Sequence, residues 1–293
     1  MEPATPIPVT ASAAVPDAAP ARRRRWGWPV HAALAVLAAM LVLAVFAPWI
    51  ATHDPGLLAP ASRLQAPSPA HLLGTDSFGR DVFSRVVYGT RISLAVGVGV
   101  AFCSVALGLV VGVLAGWFRL FDAIVMRIMD GLMAIPGILL AIALVSLLGG
   151  GLGTVVVAIM VPETPRVVRL VRGTILATRS EPYVEAAISL GSPWATLLVR
   201  HLVPSTWAPV TVQGTFILAS AMLTEAAMSF LGIGLPPDIP SWGGVMAEGR
   251  TYFQLHPGLI YDAGALLAAT VLSVNILGDA VRDALDPKLE GRR

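Results

Sequence analysis

Several stretches of about 20 residues in this 293-residue chain carry almost no charge, which is the length a helix needs to cross the hydrocarbon of a bilayer. No other feature narrows the fold as far. Inside hydrocarbon the backbone must satisfy its own hydrogen bonds, so apolar segments of this length are helical. Only 13% of the residues are charged, against about 25% in water-soluble chains, and a soluble domain of this size is excluded. The apolar content also excludes a disordered chain. The one cysteine, Cys103, has no intrachain partner for a disulfide scaffold and reads as a small packing residue. The chain reads as an all-α, multispanning integral membrane protein.

Six spans are expected, at 28–50, 92–117, 131–148, 152–171, 210–233 and 259–281. The fourth is the least apolar, because Glu163, Arg166 and Arg169 follow its uncharged part, and Pro162 and Pro165 are expected to kink it. Residues 1–27 form a tail rich in Ala and Pro that cannot offset the entropy of ordering, ending in the cluster Arg22 to Arg25. The apolar stretch after that cluster is too long for a signal peptide, whose apolar region runs about 7–15 residues. Residues 51–91 form an external loop, 92–281 a core of five further spans and 282–293 a cytoplasmic tail. Basic residues of short loops stay on the cytoplasmic side. Six spans put Arg22 to Arg25, Arg119, Arg127, Arg172, Arg179, Arg200 and the basic residues of the carboxyl tail there, with both termini cytoplasmic. Five would strand the carboxyl tail outside. Gly149, Gly150 and Gly151 then make a tight external turn.

Residues 172–207 form a cytoplasmic loop too long for a plain connector. Glu181 and Pro182 start a helix, with proline in the first turn and the acid at the positive end of the dipole. Gly191 ends it in the left-handed conformation. Pro193 opens a second helix, and Pro204 is expected to end that one. Of the 20 basic residues only Lys288 is a lysine, and its context, Asp286-Pro287-Lys288-Leu289, is no phosphate-binding loop. If transport through this chain is driven by a nucleotide, the engine belongs to another polypeptide.

At this loop the sequence resembles a known family. Glu185-Ala186-Ala187, then Gly191 and Pro204, is similar to the EAA signature of permease subunits of binding-protein-dependent ATP-binding cassette (ABC) importers. His201 and Val203 depart mildly from its usual form. Three further segments look like the dipeptide/oligopeptide/nickel branch of that family: Gly74-Thr75-Asp76 with Gly79-Arg80-Asp81 and Ser84-Arg85; Leu223-Thr224-Glu225 with Ser229-Phe230-Leu231-Gly232 and Pro240-Ser241-Trp242-Gly243; and Asn275 to Pro287. Together they cover about residues 70–288. The resemblance implies a type I importer fold in a bacterial inner membrane, translocating di- or oligopeptides by alternating access. Glu185, Ala186, Ala187, Gly191 and Pro204 would form the coupling element that docks on the ATPase. It further implies a homologous second permease subunit, two cytoplasmic ATPases carrying ATP and magnesium, an external binding protein, and no cofactor or catalysis on this chain. Nickel chelates or another small solute are the alternative cargo, and an ATP-independent secondary transporter is the alternative class.

Ionised carboxylates within spans are costly and point to a cavity or a partner. Glu163 is the candidate for the substrate pathway, where it could meet a cationic group, with pairing to Arg166 as the competing role. Glu225 is expected to pack or hydrogen-bond at a subunit interface. Asp81 and Arg85, four apart, are expected to pair within an ionic cluster anchoring the external loop. His31, His53, His71, His201 and His256 show no metal-ligand spacing, so no metal is expected on this chain. The basic residues are explained by topology and fit no nucleic-acid module.

Overall fold

The computed structural model describes residues 27–285. The tail expected over 1–27, save Gly27, and the stretch from Asp286 onward lie outside the described residues. Apart from a 3-10 turn and an isolated bridge between Thr75 and Asp81, the regular structure is helical. It comprises α1 (Trp28–Val45), α2 (Ala47–Ile50), α3 (Val82–Trp117), α4 (Arg119–Met133), α5 (Gly137–Leu148), α6 (Leu152–Arg179), α7 (Pro182–Ser189), α8 (Trp194–Leu197), α9 (Val203–Phe230), α10 (Trp242–Thr251) and α11 (Gly258–Leu285).

Among the described residues four helical segments are long and apolar enough to cross a membrane, α1, α3, the run from Trp194 through α9, and α11, and the bent pair of α4 and α5 makes a fifth if it is one span. The second expected span starts at Val82, ten residues early, because Asp81 caps the helix there through Ser84 N–H and nothing breaks it before Trp117. The expected third span is not one straight helix. Residues 131–148 straddle α4 and α5, which meet at 91° across the break at Ala134 to Pro136. Proline 136 cannot continue α4, and the 12 residues of α5 reach only about 18 Å. In contrast, α6 runs unbroken through Pro162 and Pro165 for 28 residues, about 42 Å.

The helix at the centre, α3, packs along α6 and α9. Gly108, Gly112 and Gly116 lie one turn apart on α3. A Cβ at those positions would approach the Cβ atoms of Val167, Val171 and Ile175 on α6 to 2.5, 2.7 and 2.7 Å. Small residues at four-residue spacing let two backbones meet where no hydrophobic effect drives helices together. The core lies in two clusters. One joins α3, α5, α6 and α9 through Val96, Val145, Val155, Ile159, Val171 and Ile217, and reaches α7 through Val184. The other joins α1, α3, α9, α10 and α11 around Trp242. Val98, Phe102 and Val110 of α3 stay exposed, an apolar surface suited to lipid.

The helix ends fall into two polar regions at opposite ends of α3, which is about 54 Å long. At its first turn lie residues 52–85, the loop after α9, and α10. At its last turn lie α7, α8 and the C-terminal end of α6, where Arg179 stacks on the Trp117 ring at 4.6 Å.

Candidate functional site

Around α7 the local sequence builds what its residues predict. Glu181 is the N-cap, Pro182 the first helical residue, and Glu185 lies in the first turn. Gly191 has φ +77°; its N–H donates to Ile188 C=O at 2.9 Å and the Ser192 N–H to Ala187 C=O at 3.2 Å, closing a Schellman motif. The helix is pinned by Val184, fully buried with Leu198 and Leu202. The rest faces outward: Tyr183, Glu185, Ala186, Ile188, Leu190, Gly191 and Trp194 are exposed, Ala187 is half-buried, and no described residue pairs with the Glu185 carboxylate. The element is tied to the long helices. Trp194 meets Phe118 edge-on at 5.7 Å, between the ends of α3 and α4, and Thr178 Oγ1 donates to Ser205 Oγ at 3.0 Å.

Two expectations here need correction. The loop over 172–207 is shorter than expected, since α6 continues to Arg179 and α9 begins at Val203. Pro204 does not end a helix. It sits in the first turn of α9, after Leu198 to Leu202 widen into a π turn. That widening accommodates a residue with neither an N–H to donate nor room for its ring against a regular turn. Pro204 therefore shapes the entry to α9, while Glu185, Ala186, Ala187 and Gly191 share α7 and its cap.

At the other end of α3 an ionic lock forms, with pairs other than those the spacing suggests. Asp81 does not pair with Arg85. Its Oδ2 accepts from Ser84 N–H at 2.9 Å, Ser84 Oγ at 2.7 Å and Thr52 Oγ1 at 3.2 Å, and His71 Nδ1 lies 2.9 Å from its Oδ1. Burial alone would raise the Asp81 carboxyl, but the hydrogen bonds from Ser84, His71 and Thr52 outweigh it and hold it below the ordinary carboxylate range. His53 also lies close, its Nδ1 3.1 Å from Thr52 Oγ1 and 3.8 Å from Asp81 Oδ1. This His-His-Asp cluster draws on three separated positions, beyond the reach of a spacing rule.

Arg85 instead reaches Glu248 of α10 at 3.1 Å and Asp76 at 3.5 Å. Arg80 donates to Asp76 at 2.6 Å, to Pro237 C=O at 3.0 Å and to Glu248. The four groups are buried or nearly so. Burial pushes the Glu248 carboxyl up to about 7, with Arg85 opposing and Asp76 reinforcing the shift. Gly74 and Gly79, at φ +76° and +78°, shape the turns on either side of Asp76 that form the lock. Nearby, Trp242 is fully buried and donates from Nε1 to Val86 C=O at 3.1 Å, while Ser241 caps α10. Glu225 is a further correction. Rather than facing a subunit interface it is fully buried within the chain, where Ser229 and Ser241 donate to Oε1 at 2.8 and 2.9 Å.

Between the two ends, a cavity of about 370 Å³ is lined by Ile138 of α5, by Phe216, Ser220, Leu223 and Thr224 of α9, and by Asn275 of α11. Glu163 lies behind this wall. Its buried carboxylate accepts from Ser220 Oγ at 3.1 Å and from Arg166 Nη1 at 2.9 and 3.0 Å. The pairing with Arg166 is therefore present, and Ser220 links it to the cavity.

Over residues 105–291 the sequence matches the family described as binding-protein-dependent transport system inner membrane component. It is 50% identical over 258 residues to a probable peptide ABC transporter permease of Sinorhizobium fredii, covering 88% of each chain. It is 41% identical over 272 residues to the glutathione transport system permease of Escherichia coli, covering 92% of this chain and 89% of that one. The dipeptide transport system permease of Alkalihalophilus pseudofirmus is 37% identical over 258 residues, 88% of this chain and 85% of that one.

Proposed function

Since the chain belongs to the family of binding-protein-dependent transport system inner membrane components, we propose that it imports peptides, as one permease subunit of an ATP-driven ABC importer working by alternating access. Membership makes it a non-catalytic, multi-pass inner-membrane component that works with an ATPase and a binding protein. Peptide cargo is supported by relatives named for peptide, dipeptide and glutathione transport. The second permease subunit would be a homologous but distinct chain forming a heterodimer, and two ATPase subunits would carry ATP and magnesium.

The observation that carries this reading is α7, which exposes Glu185 and a row of apolar side chains while its one buried residue, Val184, is rooted in the core that holds α6 and α9. Such a helix transmits a push without unfolding. Glu185, Ala186, Ala187 and Gly191 form the contact face for the ATPase, and Pro204 passes its movement into α9. The pathway runs along the Ser220 face of α9, with Glu163 bordering it through the Ser220 hydrogen bond.

The two polar ends support a path with six crossings. The loop after α1 and α2 meets Asp81 at the lock, α3 runs to the α7 end, α5 climbs to Gly149, and α6 returns. Gly150 lies against Pro236, next to the Pro237 carbonyl of the lock. Then α9 leads back to the lock and α11 leaves it, since Gly249 of α10 packs on Leu259. The α7 end is the cytoplasmic one, and both termini lie on that side.

Copurification tests the reading. Glu185→Lys is expected to lose the ATPase while the chain stays inserted and paired with the second permease subunit. ATP-independent peptide uptake by this chain alone in liposomes would overturn the proposal.

A further inference from the structure

Arg166 stands at the middle of α6, and its side chain is 54% exposed. A guanidinium stays charged, and a charged group at that depth of a membrane protein faces a cavity or a partner rather than lipid. Its Nη1 is taken by both oxygens of Glu163, at 3.0 and 2.9 Å. Among the described residues Nε and Nη2 meet no acceptor. The Glu163 carboxylate behind it is buried and further satisfied by Ser220, which lines the 370 Å³ cavity. On the α5 side, Ile138 lines the same cavity and its neighbour Gly137 packs on Pro162, one residue from Glu163.

We propose that Arg166 is a substrate-binding residue that takes the carboxylate of the transported peptide on its free Nε and Nη2. This rests on the peptide-permease reading and names the part of the substrate that the pathway recognises. The edge of a guanidinium formed by Nε and one Nη matches the two oxygens of a carboxylate. Glu163 positions that edge by holding the opposite nitrogen, and Ser220 fixes Glu163. The pair is close to neutral before substrate arrives, so the mid-membrane charge is stable in the empty state. An incoming carboxylate then meets a cation already oriented towards it.

Uptake by the complete importer in proteoliposomes tests this, with one binding protein delivering dialanine or its C-terminal amide. The preference of that binding protein cancels in the ratio of variant to wild type for each probe. Arg166→Gln is expected to lower dialanine uptake at least tenfold and amide uptake less than twofold, with Arg166→Lys intermediate for dialanine. The double variant Glu163→Gln/Arg166→Gln separates a substrate role from a structural one, and it is expected to stay as impaired as Arg166→Gln. Recovery in the double variant would mean that Arg166 only neutralises Glu163 and would overturn the proposal. So would unchanged dialanine uptake, or equal loss of both probes with separation of the permease subunits, which would place an acidic residue of the second subunit on Arg166. If wild type itself imports no dialanine, the peptide reading fails and this proposal with it; in every other failure wild-type uptake stays intact.

Discussion

Single residues set the stability of the lock and the angle of the docking helix. In the lock, Asp76 and Glu248 face Arg80 and Arg85, and removing one partner leaves the others charged and poorly solvated. Arg85→Met is therefore expected to cost about 3–5 kcal/mol, read as a fall in the thermal midpoint of the purified protein. Glu248→Gln differs, because a neutral amide keeps an acceptor for both guanidinium groups. The carboxyl titrates near 7, above its unfolded value of 4.5. The stability it contributes is complete below pH 4.5 and is lost as pH rises towards 7. The midpoint of Glu248→Gln relative to wild type should therefore shift in the variant's favour between pH 5 and pH 8; an opposite drift would show that the arginines dominate burial. At Gly191 an added Cβ would meet nothing within 4 Å, and only the φ of +77° resists substitution. Gly191→Val should cost about 1–2 kcal/mol locally and weaken ATPase copurification, whereas Gly191→Asn, more at ease in that region, should keep most of it. The motif around Gly191 was readable because a Schellman motif is local. The lock was not, because Glu248 lies 163 residues from Arg85 and sequence spacing pairs Arg85 with Asp81 instead.

Among the elements, the contact of α3 with α6 is the tightest seam, and its chemistry makes a sharp prediction. At Gly116 an added methyl would sit 2.6 Å from Ile175 Cγ2 and 2.7 Å from its Cβ, so trimming Ile175 to alanine removes the first clash and leaves the second. Gly116→Ala is expected to destabilise by about 1–3 kcal/mol, and adding Ile175→Ala should rescue it at most in part, because the Cβ contact stays. Gly173, also on α6, has open space around it, so Gly173→Ala should be neutral or mildly stabilising through the unfolded chain. Thermal midpoints of the three variants check the set. Hydropathy foresaw that α3, α9 and α11 are long apolar helices because composition over 20 residues reports burial in lipid. It misread residues 131–148, since composition carries no direction and the 91° bend before α5 is set by Pro136 and by the ion pairs of α4 with Arg169 and Arg172. Pro204 was misread because a breaker in a regular helix is tolerated once the preceding turn has widened.

For the molecule as a whole, the decisive quantity is which membrane face each polar end occupies. The lock and α7 stand at opposite ends of α3, whose length of about 54 Å exceeds a hydrocarbon core of about 30 Å. Although charged, α6 joins the same two ends, from Gly151 near the lock to Arg179 on the Trp117 ring. Its charges are tolerated because Glu163 binds Arg166 and Ser220, and because Arg169 and Arg172 reach Asp130 and Asp122 on α4. The proposed six crossings require that the turn before α6 and the helix after it face opposite compartments. In a Cys103→Ser background, Gly150→Cys and Glu185→Cys each place one thiol at an exposed position. A membrane-impermeant maleimide applied to intact cells should label Gly150→Cys, and should reach Glu185→Cys only after permeabilisation. The reverse pattern would keep the crossings and invert the orientation, moving α7 away from any cytoplasmic ATPase. Labelling of both sites from one side would remove α6 as a crossing, leave an odd number of spans, and place the carboxyl end opposite the amino end.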